Sequence, residues 1–317
     1  MFLNSIAHYL PSIEISNDYF LDKNGLTDEW IYTRTGIKTR RKAEPHENAN
    51  TMAIEAVKRV VEINKYPIQD VDIIIGGTYT PFDTVGTLAH VVQEHYNVSN
   101  VRTISISTAC SSLINALEIV EGYFAMNKAK KALVIVSEHN TGYSVDTDEF
   151  AGHLWGDGSA AMFVSKERQS AEDFEFIEIV TEGLANIGKG TVGVGLQPLK
   201  EGIKMRYGKD VFMHACNYMA QVTKDILERN GFTINDLDTF IPHQANIRII
   251  NNVAEQLNID PKRTIVNIER LGNTGCVSTA IGLSENLDFV KKGKLCCLTV
   301  FGGGYSSGAA LLKTNLD

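Results

Sequence analysis

Short runs that are apolar at every position alternate along the chain with longer stretches whose apolar residues recur every three or four positions. The first pattern fits strands covered on both faces, and the second fits helices that bury one side. Asp70–Gly76 (DVDIIIG) reads as a buried strand closed by glycine, and Ala132–Ser137 and Ala160–Val164 read the same way. Ahead of the first strand, Thr51–Asn64 places Met52, Ala56, Val60 and Ile63 on one helical face. Strands alternating with helices predict βαβ units and a mostly parallel sheet.

The pattern occurs twice. DVDIII at Asp70–Ile75 is echoed by DLDTFI at Asp236–Ile241, and KKALVIV at Lys130–Val136 by KLCCLTV at Lys294–Val300. SAAMFVSK at Ser159–Lys166 is echoed by GAALLKT at Gly308–Thr314. The helix Thr51–Asn64 has its counterpart in Met213–Asn230. Landmarks repeated in one order, half a chain apart, indicate an internal duplication. The polar stretch KERQSAEDFE at 166–175 is the natural joint, dividing the chain into halves 1–168 and 169–317. Two α/β sheets packed on each other are expected, with a site at their junction.

Composition narrows the class. Of 317 residues, 44% are hydrophobic and 21% charged, which excludes a disordered, collagen-like or low-complexity chain. With 38 acidic and 30 basic residues the net charge is −8, against nucleic-acid binding, which needs a basic face. Five cysteines without a C-x-x-C pair make neither a disulfide scaffold nor a zinc site. The N-terminal stretch lacks a basic and apolar leader pattern, and no apolar run approaches the ~18 residues of a membrane span. The expectation is a soluble cytoplasmic protein without nucleic-acid or membrane partners.

Four positions carry chemistry. Cys110, in STACSS, falls between a strand at Val101–Ser107 and a helix at about Ser111–Met126, where the helix N-terminus favours thiolate. Taken alone it reads more readily as a small buried cysteine, the commoner fate of free cysteines, as Cys216, Cys276, Cys296 and Cys297 do, in helix or strand interiors. His243 follows Pro242 at the C-terminal end of a strand, the edge where α/β sheets bind ligands. Asn273, in LGNTGC, occupies the second-half position that Cys110 occupies in the first, and is expected at an equivalent strand-to-helix turn. Phe301–Gly304 (FGGG) brings backbone N–H groups close to a ligand, as an oxyanion hole requires; otherwise it is a flexible turn.

Together these residues resemble the β-ketoacyl-acyl carrier protein synthase III family, condensing enzymes of the thiolase superfamily. DEWIYTRTGIKTR at Asp28–Arg40, the TACSS turn, WGDGSAA at Trp155–Ala161, PHQANIRII at Pro242–Ile250, GNTG at Gly272–Gly275 and FGGGYSSGAALL match in order, over nearly the whole chain. The resemblance implies a five-layered αβαβα fold of two duplicated halves, and a homodimer. It implies that Cys110 takes the acyl group from an acyl-CoA or acyl carrier protein. His243 and Asn273 then stabilise the enolate formed as malonyl-acyl carrier protein loses carbon dioxide. The amides of Cys110 and Gly303 form the oxyanion hole. No metal or redox cofactor takes part; CoA or phosphopantetheine thioesters are the substrates. Trp30 and Arg34 are the implied CoA contacts, within a basic cluster of Arg34, Lys38, Arg40, Arg41 and Lys42, with Asn246 and Arg248 near the pantetheine arm and the carrier protein. Val85 and Phe301 are the implied acyl-pocket residues.

The chain departs from the family pattern around that core. Glu149 stands where an arginine usually sandwiches adenine, Leu26 where a small hydroxyl residue contacts CoA, and Met213, Glu255 and Gln256 where lysines dock the carrier protein. Val85 replaces a large aromatic that crosses the dimer interface to shorten the acyl pocket. These departures imply a specialised member with a longer or carrier-bound acyl donor, in fatty-acid initiation or a polyketide-like or resorcinol-type pathway. The competing readings are a non-decarboxylating acyltransferase of the same fold, a non-catalytic partner subunit, and a Cys-His-Asn hydrolase. A partner subunit is expected to have lost Cys, His or Asn, and all three are here.

Overall fold

A computed structural model describes residues 1–198 and 201–314. The strands are β1 Phe2–Tyr9, β2 Ile13–Ser16, β3 Thr39–Lys42, β4 Ile73–Gly77, β5 Arg102–Ile106, β6 Lys131–Glu138, β7 Gly158–Ser165, β8 Phe174–Gly183, β9 Val194–Gln197, β10 Gly202–Met205, β11 Thr239–Pro242, β12 Leu295–Gly302 and β13 Ser306–Lys313. Nine of them form one sheet in the order β11-β12-β13-β8-β1-β7-β6-β4-β5.

That order repeats itself around its middle. In the first half β4 pairs parallel with β6, β6 antiparallel with β7, and β7 antiparallel with β1. In the second, β11 pairs parallel with β12, β12 antiparallel with β13, and β13 antiparallel with β8. The halves join where Phe2 and Leu3 of β1 meet Glu175 and Phe174 of β8. The match stops at the outer edge. β5 pairs parallel with β4, whereas the second half offers β11 only a bridge between Phe240 and Thr264.

The repeated acidic signature has a physical basis. The Asp72 carboxylate accepts the N–H groups of Lys130 and Lys131 at 2.7 and 3.1 Å. The Asp238 carboxylate accepts those of Lys294 and Leu295 at 2.6 and 3.1 Å. Each aspartate sits beside the start of its own strand and pins the start of the neighbouring one, satisfying amides the ladder leaves free. The strand read at Asp70–Gly76, β4, therefore begins at Ile73, after a 3-10 turn at Ile68–Asp70, rather than at Asp70.

Burial sorts into layers. Along β6, Leu133 and Ile135 pack outward against Val57, Val60, Leu88 and Val92, on helices Ala49–Ile63 and Leu88–His95. Ala132, Val134 and Val136 face inward, onto the helix Ser112–Ala125 and the turn Gly275–Val277 that leads into the helix Ser278–Glu285. The inward faces of β12 and β13 join that same central cluster through Leu298, Val300, Ala310 and Leu312. Their outward faces pack through Cys297 and Leu311 on helices Gly208–Arg229 and Ile247–Gln256. The result is helix, sheet, helix, sheet, helix. Cover on both faces explains strands apolar at every position. The two sheets do not touch face to face as expected from sequence; helices separate them and the β1–β8 edge joins them. The helix read as Thr51–Asn64 starts at Ala49, because Asn48 caps it, its Oδ1 accepting from Asn50 N and Thr51 N.

Residues 199–200 and 315–317, all within the expected second half, lie outside the described residues.

Candidate active site

Cys110, His243 and Asn273 line one cavity of about 260 Å³, with Phe301 and Gly303 in its wall. Each arrives there by a different local device.

Cys110 sits in the turn between β5 and the helix Ser112–Ala125. Ala109 takes φ +48, the left-handed region that side chains rarely adopt. Ser112 holds the turn, accepting from Thr108 N at 3.0 Å and donating to Ala109 O at 2.7 Å. Gly302 packs against the turn so closely that an added Cβ would lie 2.8 Å from Cys110 N. The thiol is half-buried, but what exposure it has opens on the cavity. Burial, and then the nearby Glu138, push it up to about 12; the amides of Gly303 and Cys110 itself pull the other way. Burial outweighs the two amides, so the thiol rests protonated.

His243 extends the β11–β12 ladder past Pro242, its N–H donating to Thr299 O at 2.8 Å. Its Nδ1 lies 2.8 Å from Ser278 Oγ. The backbone bond to Thr299 fixes where the ring starts, and Ser278 fixes how it turns. Ser278 Oγ also accepts Gln244 N–H at 3.4 Å, and in the tautomer where Nδ1 accepts the Ser278 hydroxyl the ring proton sits on Nε2. Burial holds the imidazole down at about 4, so it is neutral at ordinary pH.

Asn273 is not at a strand-to-helix turn. The short helix Ile268–Leu271 precedes it, then Gly272 at φ +63, because the second half has no full counterpart of β5. Its backbone is held on both sides: N–H donates to Leu154 O at 2.8 Å, and its carbonyl accepts from Gly156 N at 3.1 Å. Its Oδ1 accepts from Gly275 N at 2.9 Å, which fixes the amide and leaves Nδ2 as the donor for a ligand. The site therefore offers a thiol, a neutral imidazole N–H and an amide N–H. That set suits nucleophilic capture of an acyl group and stabilisation of a developing oxyanion.

The other expected positions divide. Trp30, Arg34, Asn246 and Arg248 meet in one patch: Asn246 Nδ2 donates to Arg34 O at 3.1 Å and Arg248 Nη2 to Thr33 O at 2.8 Å. The Arg34 guanidinium lies 4.3 Å from the Trp30 ring centroid, and His153 packs edge-on at 5.5 Å. The basic cluster is not a free cationic patch. Arg40 is fully buried, bonded to Asn17 Oδ1 and His153 O, while Lys38, Arg41 and Lys42 pair with Glu269, Glu14 and Asp146. Val85 is 85% exposed and does not line the cavity within its own chain, because the loop after β4 carries it outward. Cys276 lies in a 3-10 turn, Gly275–Val277, rather than a helix or strand interior.

Sequence reading missed Glu138, Ser278 and Tyr79, and named Trp155 only as part of a motif, not as a site residue. Tyr79 and Trp155 line the cavity, and Ser278 orients His243. Glu138 left a trace in the sequence: a carboxyl closing the apolar run ALVIVSE.

Comparison with known proteins places this arrangement. Residues 104–183 match the family described as 3-oxoacyl-[acyl-carrier-protein (ACP)] synthase III, and residues 227–314 match its C-terminal region. The β-ketoacyl-[acyl-carrier-protein] synthase III of Nitratidesulfovibrio vulgaris (strain DP4) is 31% identical over 323 residues, covering 98% of each chain. The crystal structure of 3-oxoacyl-[acyl-carrier-protein] synthase III from Aquifex aeolicus VF5 superposes with a TM-score of 0.89 at 33% identity, covering 98% of this chain and 99% of that one. The priming β-ketosynthase of the R1128 polyketide biosynthetic pathway gives a TM-score of 0.87 at 27% identity, over 98% and 95%. Fold and relatives make the chain a condensing acyltransferase of the thiolase fold. More narrowly, the chain belongs to the β-ketoacyl-[acyl-carrier-protein] synthase III family.

Proposed function

We propose that the chain takes an acyl group from an acyl thioester onto Cys110, then condenses it with a malonyl thioester on acyl carrier protein to give a 3-ketoacyl product. The observation that carries this reading is the shared cavity of Cys110, His243 and Asn273. In the first half-reaction the Cys110 sulfur adds to the thioester carbonyl and gives up its proton. The departing CoA or phosphopantetheine thiol takes a proton, and the amides of Cys110 and Gly303 hold the oxyanion. In the second, His243 Nε2–H and Asn273 Nδ2–H donate to the malonyl thioester oxygen as the C–C bond to carboxyl breaks and carbon dioxide leaves. The resulting carbanion attacks the acyl-cysteine carbonyl and the Cys110 sulfur departs. Every step is nucleophilic or electrostatic, and the two N–H donors act where charge develops.

The remaining assignments belong to the same reading. Trp30, Arg34, Asn246 and Arg248 hold the CoA or carrier arm, and Phe301 borders the acyl pocket. The halves 1–168 and 169–317 are the two duplicated units, supported by their matching strand orders. A homodimer is supported by the open edge of β5 and by exposed Phe82 and Val85; across such an interface Val85 would reach the partner's acyl pocket. Val85 in place of a large aromatic favours a longer acyl group, and Glu149 and Leu26 favour a carrier-bound donor, in fatty-acid initiation or a polyketide-like or resorcinol-type pathway. A cytoplasmic site of action goes with such carrier-bound substrates. Among the described residues no helix is long and apolar enough to cross a membrane.

Intact-protein mass spectrometry after incubation with acyl-CoAs from acetyl to dodecanoyl, and with the same acyl groups on carrier protein, tests the reading. A mass gain lost in Cys110→Ala supports it, as does carbon dioxide release from malonyl carrier protein lost in His243→Ala. Loading without carbon dioxide release would favour the non-decarboxylating acyltransferase, and no loading from any donor would overturn the reading.

A further inference from the structure

Glu138 closes β6 with its side chain fully buried, and no Lys, Arg or His pairs with its carboxyl among the described residues. Neutral donors hold it instead. It accepts from Thr80 Oγ1 at 2.5 Å, Thr78 Oγ1 at 3.1 Å, the amides of Thr80 and Tyr79 at 3.2 and 3.3 Å, and the Cys276 thiol at 2.9 Å.

These donors come from both halves of the chain. Thr78–Thr80 follow β4 and carry Tyr79 onto the cavity wall. Cys276 belongs to the turn whose Gly275 amide holds Asn273 Oδ1. One carboxyl therefore spans from the Tyr79 loop to the Asn273 turn. The titratable groups facing it are Tyr79 after β4, Cys276 in the 275–277 turn, and Cys110 ahead of the helix Ser112–Ala125, with Tyr143 farther off. None of these supplies a positive charge. A carboxylate there repels a second negative charge through a medium that screens poorly. Burial pushes Glu138 up to about 7, so both of its charge states lie within the working pH range.

We propose that Glu138 is a positioning residue for the condensation: through the Cys276 thiol it fixes the Asn273 turn to the Tyr79 loop, and its charge opposes ionisation of Cys110. The inference rests on the two half-reactions proposed above. It assigns Cys276, which sequence reading left as an inert buried thiol, a part in the site.

The two effects have opposite signs, which separates them from simple damage to the fold. Glu138→Gln keeps the shape and removes the charge. Iodoacetamide alkylation of Cys110 at pH 8, followed by intact mass with Cys110→Ala as blank, is expected to run about tenfold faster in Glu138→Gln, one pKa unit's worth of thiolate. Carbon dioxide release from malonyl carrier protein is expected to fall by about tenfold, because the amide NH2 replaces one of the two acceptor oxygens that tie the Cys276 turn to the Tyr79 loop. Cys276→Ala is expected to lower carbon dioxide release, and Cys276→Ser, which keeps a donor, to restore it. Equal loss of both rates in Glu138→Gln, no change in either, or Cys276→Ala releasing carbon dioxide at the wild-type rate would overturn the inference. If Glu138→Gln does not fold, the Cys276 pair decides. If the wild type releases no carbon dioxide, the proposed function fails, while the alkylation arm still decides the effect of the Glu138 charge.

Discussion

His243 and Ser278 share a 2.8 Å hydrogen bond between imidazole Nδ1 and hydroxyl. The bond reaches from the end of β11 to the first turn of the central helix Ser278–Glu285, and the proposed chemistry uses it with Nδ1 as the acceptor. Only with Nδ1 occupied as acceptor does Nε2 carry the hydrogen that a substrate oxygen needs.

Ser278→Ala removes the partner of Nδ1 without touching substrate. The expected result is a drop of about tenfold in carbon dioxide release from malonyl carrier protein, the equivalent of one net hydrogen bond. Acylation of Cys110 is expected to stay near the wild-type rate. Measuring the two half-reactions separately checks this, and an equal loss in both would refute the tautomer argument.

The pH dependence of Cys110 follows from its burial. A thiol pushed up to about 12 is almost wholly protonated at neutral pH. Its thiolate fraction therefore keeps growing with pH, by less than about tenfold per unit near neutrality, where Glu138 also ionises and opposes it. Iodoacetamide alkylation of Cys110 is expected to rise with rising pH, without a plateau below about pH 9. A plateau near neutrality would show that the helix terminus outweighs burial after all.

Gly302→Ala tests the packing behind the nucleophile. The new Cβ would lie 2.8 Å from Cys110 N and 3.2 Å from Ser111 N, both backbone atoms that cannot swing away. Acyl loading is expected to fall by about tenfold or more, since small displacements of a reacting group are costly. Circular dichroism is expected to show an intact fold. Unchanged loading would mean that the turn yields more easily than its Ser112 bonds suggest.

Much of the fold was legible because it depends on local patterns. Asp72 and Asp238 pin equivalent strands, so the duplicated DVD and DLD signatures mark a real structural repeat. Cys110, His243 and Asn273 stood out because each lies in a distinctive turn sequence, and all three line the same cavity. What could not be read depends on distance in space. Arg40 looks like its basic neighbours in sequence, yet it is buried while they pair at the surface. Asn273 fails to follow the repeat because β5 lacks a full partner in the second half. Glu138 and Ser278 matter through contacts with residues 58 and 35 positions away, beyond any motif's reach. The sign of the Cys110 shift needed the surrounding burial, which a helix-start pattern does not reveal.

The burial that keeps Cys110 protonated also bears on durability. Peroxides attack thiolates far more readily than thiols, and oxidation beyond the sulfenic acid is largely irreversible. A nucleophile held as the thiol is a poor target for such damage between turnovers, so the pocket that slows its ionisation also preserves it.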